Sequence, residues 1–140
     1  MDNKHRLALQ ARLAALPELA GVAVVWQPAN PNTPAPLVIL RCISDQREAA
    51  HSGDTGIRNA RIQVDAYADA YAVDDGNAQS IRDSITNDLH GFSGELTGGG
   101  PIFDSCFDDG AFDEFDEAAG LVRASRDFVI QYHPFLTQYP

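Results

Sequence analysis

The residues whose types and spacing could do chemistry are, above all, carboxylates. Asp104, Asp108, Asp109, Asp113, Glu114, Asp116 and Glu117 place seven acids and no base within fourteen residues, interleaved with Phe103, Phe107, Phe112 and Phe115. Such a cluster could gather a divalent ion together with Asp65 and Asp69, for cation-dependent hydrolysis or simple cation binding. It could equally dock on an arginine-bearing partner surface, with the aromatic rings supplying contact area. A solvated hairpin tip carries the same charge run. The histidines His5, His51, His90 and His133 fall one to a region, so a constellation built from them would have to be assembled by the fold. Read singly, they are unpaired surface or loop histidines.

Motif tests made letter by letter fail. There is no GxGxxG, P-loop, HExxH or CxxC. GFSGE, beginning at Gly91, has its second glycine one residue early for a nucleophile elbow. The run from Asp104 misses the calcium-loop pattern, because Cys106 and Asp108 break the ligand spacing and Gly110 falls one position late. Cys42 and Cys106 lie far apart in a chain long enough to do without a staple, and read as small buried hydrophobes in a reducing compartment. No catalytic residue, metal ligand or cofactor is assigned.

The elements that must position these residues follow from periodicity. Leu9, Leu13 and Leu16 form one stripe of a helix from about residue 2 to 16, with Asp2 or Asn3 as cap and Pro17 as stop. Val22 to Trp26 is a short strand, and PANPNTPAP after it, four prolines in nine residues, is an exposed arm or loop. LVILRCI from Leu37 is nearly continuous in its apolar content, as a central strand would be. A polar stretch, SDQREAAHSGDTG, leads to a strand in which Ile62, Val64 and Ala66 alternate with Arg61, Gln63, Asp65 and Tyr67, one face core and the other polar.

Ala78, Ile81, Ile85 and Leu89 return to helical period, with Asp74 or Asp75 as cap and Gly91 as stop. Five glycines between Gly91 and Gly100 predict a mobile loop before the strand PIFDSCF. The closing strand sets Val122, Ala124, Phe128, Ile130 and Tyr132 against Arg123, Ser125, Asp127 and Gln131, with Arg126 interrupting the apolar face. The order of helices and hairpins predicts an α+β fold, a mostly antiparallel sheet with two main helices packed on one face. The other face must be solvated or pack on another subunit.

With 140 residues, 44% of them hydrophobic, the chain is a single domain, 1–140, with a proline-rich loop at 27–36, a glycine-rich loop at 91–100 and an acidic loop at 104–117. Its net charge of −10 disfavours a sequence-independent grip on nucleic acid or on anionic membranes. Nine of the ten bases are arginine, which suits specific pairing with carboxylates. The N-terminal leucines are interrupted by Arg6, Gln10 and Arg12, which excludes a signal peptide or membrane span.

PLVILRCIS, then GDTGIRNARIQVDAYADAY, a helix, the acidic DDGAFDEFDEAAG and RASRDFVIQYH together resemble the tail-completion, or tail-terminator-like, proteins of long-tailed bacteriophages. The match runs from about Pro36 to His133. It rests on Arg61, Ile62, Gln63, Val64, Asp65 and Tyr67 in one strand, and on Arg123, Ser125, Asp127 and Phe128 in the closing strand. The resemblance implies a structural virion protein, made in the host cytoplasm, that caps the head-proximal end of the tail tube as a ring of six and joins the head. It implies a tail-tube protein and a head-connector or stopper protein as partners, with DNA only passing through the lumen, no membrane, no cofactor and no enzymatic activity.

A related alternative is another head–tail adaptor, such as a head-completion or stopper protein. The residues expected at subunit or partner interfaces are Arg61, Gln63, Asp65, Tyr67, Asp108, Asp109, Phe112, Phe115, Arg123 and Arg126.

Overall fold

In the computed structural model, which describes residues 1–51, 53–71 and 77–134, α1 spans Asn3–Ala14 and starts where Asp2 caps it. The Asp2 carboxylate accepts the His5 amide at 3.0 Å, satisfying one of the orphan donors of the first turn. His5, Ala8, Leu9 and Leu13 form its buried stripe, and Pro17 opens a single 3-10 turn that seats Leu19 in the core. The second helix, α2 (Ala78–Leu89), buries the expected Ala78, Ile81, Ile85 and Leu89. Its cap is Asn77, accepting from the Ser80 amide at 2.8 Å. Asp74 and Asp75, expected in that role, lie outside the described residues. Among the described residues no helix is long and apolar enough to cross a membrane.

Six strands form one sheet: β1 (Ala23–Trp26), β2 (Leu37–Ala50), β3 (Gly53–Asp69), β4 (Gly94–Glu95), β5 (Ile102–Asp116) and β6 (Leu121–Tyr132), in the order β1-β2-β3-β6-β5-β4. The α+β class stands, but the sheet is not a flat antiparallel one: four of its five pairings are antiparallel, the parallel β1–β2 pair makes it mixed, and it is curled into a half-barrel. β1 pairs with β2 in parallel, Ala23 beside Leu37 and Trp26 beside Leu40. A strand of four residues is short enough for the proline-rich arm to carry the chain back to its starting level, so no crossover helix is needed. The core lies between the helices and Ala60, Ile62, Val64 and Ala66 of β3, with Phe103 and Cys106 of β5 and Phe128, Ile130 and Tyr132 of β6.

Two segments expected as loops are strand. Ser44–Ala50 and Gly53–Gly56 extend the β2–β3 hairpin, and the acidic 104–117 segment is almost wholly β5. Backbone pairing in a hairpin does not require buried side chains, so a ladder solvated on both faces leaves no apolar period to read. The two hairpins turn at opposite ends of the sheet, since Arg58 lies beside Tyr132 and Asp69 beside Leu121. The glycine-rich segment, expected as a mobile loop, is tied down. Leu96 enters the core, its amide donates to Pro101 O at 2.8 Å, and β4 pairs with Ile102 and Phe103.

The covering strands are short. β1 lines β2 only over Leu37–Leu40, and β4 lines β5 only at Ile102 and Phe103. The end of α2 covers a little more of β5: the Gly91 amide donates to Cys106 O at 2.7 Å, and the Asp108 amide donates to His90 Nδ1 at 3.0 Å. Beyond these, the outer edges of β2 from Arg41 to Ala50 and of β5 from Ala111 to Asp116 carry no neighbouring strand among the described residues.

Candidate functional site

Side chains alternate across a sheet, so the residues between the core positions of β3 stand on the face that the helices leave free. The register carries this pattern across three strands. Arg61 lies beside Val129, Gln63 beside Asp127, Asp65 beside Ser125 and Tyr67 beside Arg123, while on β5 Phe107, Phe112 and Glu114 line up with Val129, Ser125 and Arg123. Seven of the ten expected interface residues therefore gather here: Arg61, Gln63, Asp65, Tyr67, Asp109, Phe112 and Arg123.

Asp108, Phe115 and Arg126 do not join them. Their cross-strand neighbours are Phe128, Val122 and Val64, on the helix-bearing face. The bulge between Asp108 and Ala111 brings Phe115 to the same face as Asp108, because one extra residue shifts the alternation between the two ends of β5, whereas Arg126 simply follows the apolar alternation of β6. Gly110, at φ +106°, supplies the left-handed backbone there.

The arginines are engaged within the chain. Arg61 donates to Asp127 at 2.9 Å and to Asp109, which together hold its guanidinium further into the charged form. Arg123 sits 2.6 Å from Glu114 and 5.1 Å over the Phe112 ring. Burial works against its charge, but Tyr67, Asp65 and Glu114 outweigh burial and leave its pKa above the ordinary value. On the other face Arg126 pairs with Asp108, and Arg82 of α2 reaches Asp113.

Asp65, expected on an open polar face, is 0% exposed. Oδ1 accepts from the Ser125 hydroxyl, and Oδ2, with no hydrogen bond, lies 3.8 Å from Arg41. The polar face thus has an interior, closed by the long arginine side chains on either side. Tyr67 separates two grooves. One, of about 750 Å³, is lined by Glu114, Asp116, Glu117, Leu121 and Arg123; the other, of about 300 Å³, lies under the proline-rich arm at Asn30, Pro31, Leu37 and Ile39.

His5, read from the sequence as unpaired and exposed, is fully buried, with Nδ1 2.7 Å from Asp2 and Nε2 3.2 Å from Ile102 O. His90 accepts from Asp108, and His133 lies 2.7 Å from Asp104, so these two also have partners. Sequence reasoning missed Arg41, the neighbour of Asp65, because their approach depends on the β2–β3 register. Ser125 and Asp127 were visible as alternating polar positions, without a sign of what they faced. Among the described residues no group of three or more His, Cys, Asp or Glu side chains is arranged to hold a metal ion. What this surface offers chemically is contact: carboxylates, partly shielded guanidinium groups, exposed rings and unpaired strand edges.

Comparison with known proteins gives a family match and structural matches. The family model described as tail completion protein gp17 matches residues 7–133. A chain from a solved structure of the virion of a native gene transfer agent particle superposes with a TM-score of 0.64 at 17% identity, covering 91% of this chain and 92% of that one. At that identity the likeness is one of fold. No curated protein matches.

Proposed function

Because the chain belongs to the tail completion protein family, whose model spans residues 7–133, we propose that it closes the head-proximal end of a phage tail tube as a ring and offers the surface on which the head is joined. Membership makes it a structural protein of the virion tail. The ring, its six-fold number and its neighbours in the tail are our reading. The observation that carries it is the pair of uncovered strand edges on opposite sides of one sheet, at Arg41–Ala50 and Ala111–Asp116. A surface with two unlike docking edges joins head to tail, and such contacts close into rings or run on as filaments.

In this reading the tail-tube protein and the head connector or stopper bind the two rims of the ring, and DNA passes through without being gripped. Net charge supports the last point, since −10 per subunit leaves little for phosphate to bind.

Light scattering over a range of concentrations, alone and with the tail-tube protein of the same phage, tests the reading. A discrete species of about 91 kDa, six subunits of 15.1 kDa, with ring-shaped particles in negative stain, is expected. A monomer under every condition, with no binding to the tube, overturns it. Capture of the head connector without the tube would move the protein to the stopper side of the joint.

A further inference from the structure

We propose that the ring junction is a continuation of the sheet, in which β5 of one copy, from Ala111 to Asp116, pairs antiparallel with β2 of the next, between Arg41 and Ala50. This rests on the ring reading and specifies how its subunits meet.

Strand direction supports it. β2, β3, β6 and β5 alternate in direction across the sheet, so a neighbour added in the same orientation brings its β2 antiparallel to β5. The open part of β5 lies level with Val64–Asp69 of β3 and that of β2 level with Gly53–Gln63, so the neighbour is also displaced along the strands and the strands run tilted to the ring axis. Both edges have unused backbone groups, whereas Cys106 to Asp108 of β5 are already served by Gly91 and His90, which confines pairing to the segment past the bulge.

Charge selects the partner. The open part of β5 carries Asp113, Glu114 and Asp116 and no base, so two copies of β5 facing each other would set carboxylates against carboxylates. The open part of β2 is instead balanced, with Arg41 and Arg47 beside Asp45 and Glu48, and its Arg47 side chain is 73% exposed. Apolar surface waits on both sides: Phe112 and Phe115 are 48% and 53% exposed, and Ile43, at the β2 bulge, is 48% exposed. Acidic residues on β5 thus disfavour self-pairing while leaving the arginine-bearing edge as the acceptable neighbour.

Cross-linking tests the junction. In a Cys42→Ser background, single cysteines are placed at Ser44, Gln46 or Glu48 in one set of proteins and at Phe112, Glu114 or Asp116 in another. Buried Cys106 stays silent, because burial pushes its thiol up to about 12. Mixed across the sets under mild oxidation, at least one β2–β5 combination is expected to give disulfide-linked dimers, and the doubly substituted chain a ladder ending in one closed species. Light scattering of the same samples separates the two ideas. Ring-sized particles without any β2–β5 cross-link, or with β5–β5 or β2–β2 cross-links instead, overturn the junction and leave the ring standing. Absence of any assembly, with or without tube protein, overturns both.

Discussion

Arg12 ties the two helices together with one side chain. It donates to both Asp88 oxygens, at 2.9 and 3.0 Å, and to Leu96 O at 3.2 Å, and it stacks 3.9 Å over the Phe92 ring. Truncation leaves Asp88 half-buried and unmatched, so Arg12→Ala is expected to lose ~2 kcal/mol in urea denaturation, and Arg12→Lys more than half of that, because an ammonium cannot make the planar fork. Asp65→Ala is expected to cost about as much, through the stranded Ser125 hydroxyl and the two arginines beside it. If Asp65→Ala unfolds at the wild-type denaturant midpoint, the buried carboxylate has no structural role. Neither cost was legible in the sequence, since each depends on a carboxylate or hydroxyl partner on a distant strand or helix, Asp88 for Arg12 and Ser125 for Asp65.

Among the elements, β5 shows where legibility ends. Its first half, with Phe103 and Cys106 in the core, was readable as a strand. Its second half was not, because Asp109, Asp113, Glu114 and Asp116, with the exposed Phe112 and Phe115 between them, have no buried face to report. The helices were legible to within a turn, since a buried stripe forces the period of 3.6 into the letters. Of the candidate site, the polar rows of β3 and β6 were legible as alternation. So was the place of Arg126 on the apolar face of β6, but the β5 bulge that brings Phe115 to the same face as Asp108 was not.

Gly110→Val tests the bulge. Its backbone at φ +106° is strained for a side chain, so a loss of ~1–3 kcal/mol is expected, with weaker cross-linking at Phe112. An unchanged midpoint would mean that the bulge relaxes freely. The start of β5 also sets an alkaline limit. Burial holds the Cys106 thiol at about 12 against 9.0 in the unfolded chain, and burial with the Asp45 bond raises the Tyr132 phenol as well. Both groups must ionise to be content in the unfolded state, so stability is full below pH 9 and falls as pH rises toward 12, by up to ~1.4 kcal/mol per unit per group. Denaturant midpoints at pH 8, 9.5 and 10.5 that do not fall would contradict this assignment of burial. Ellman's reagent at pH 8 should count Cys42 alone in the native protein and both thiols in denaturant.

For the whole molecule, the mass of the assembled species decides more than any substitution, and salt gives a second reading. If β2 and β5 meet through arginine and carboxylate, raising ionic strength from about 0.05 to 0.5 M should slow ring formation several-fold while changing the subunit's own denaturant midpoint little. Equal rates at both salts would point to a junction made by apolar contact. One feature of the fold reaches further than the junction. The β2–β3 hairpin, with its arginines, turns at one end of the sheet, and the β5–β6 hairpin, with its carboxylates, turns at the other. A closed assembly of identically oriented copies is therefore a polar object, like a washer with two differently coated faces. If the proposed ring caps a tube, it fits only one way round, and the outward face it presents differs from the surface it covers, which would end growth by the tube's own repeat.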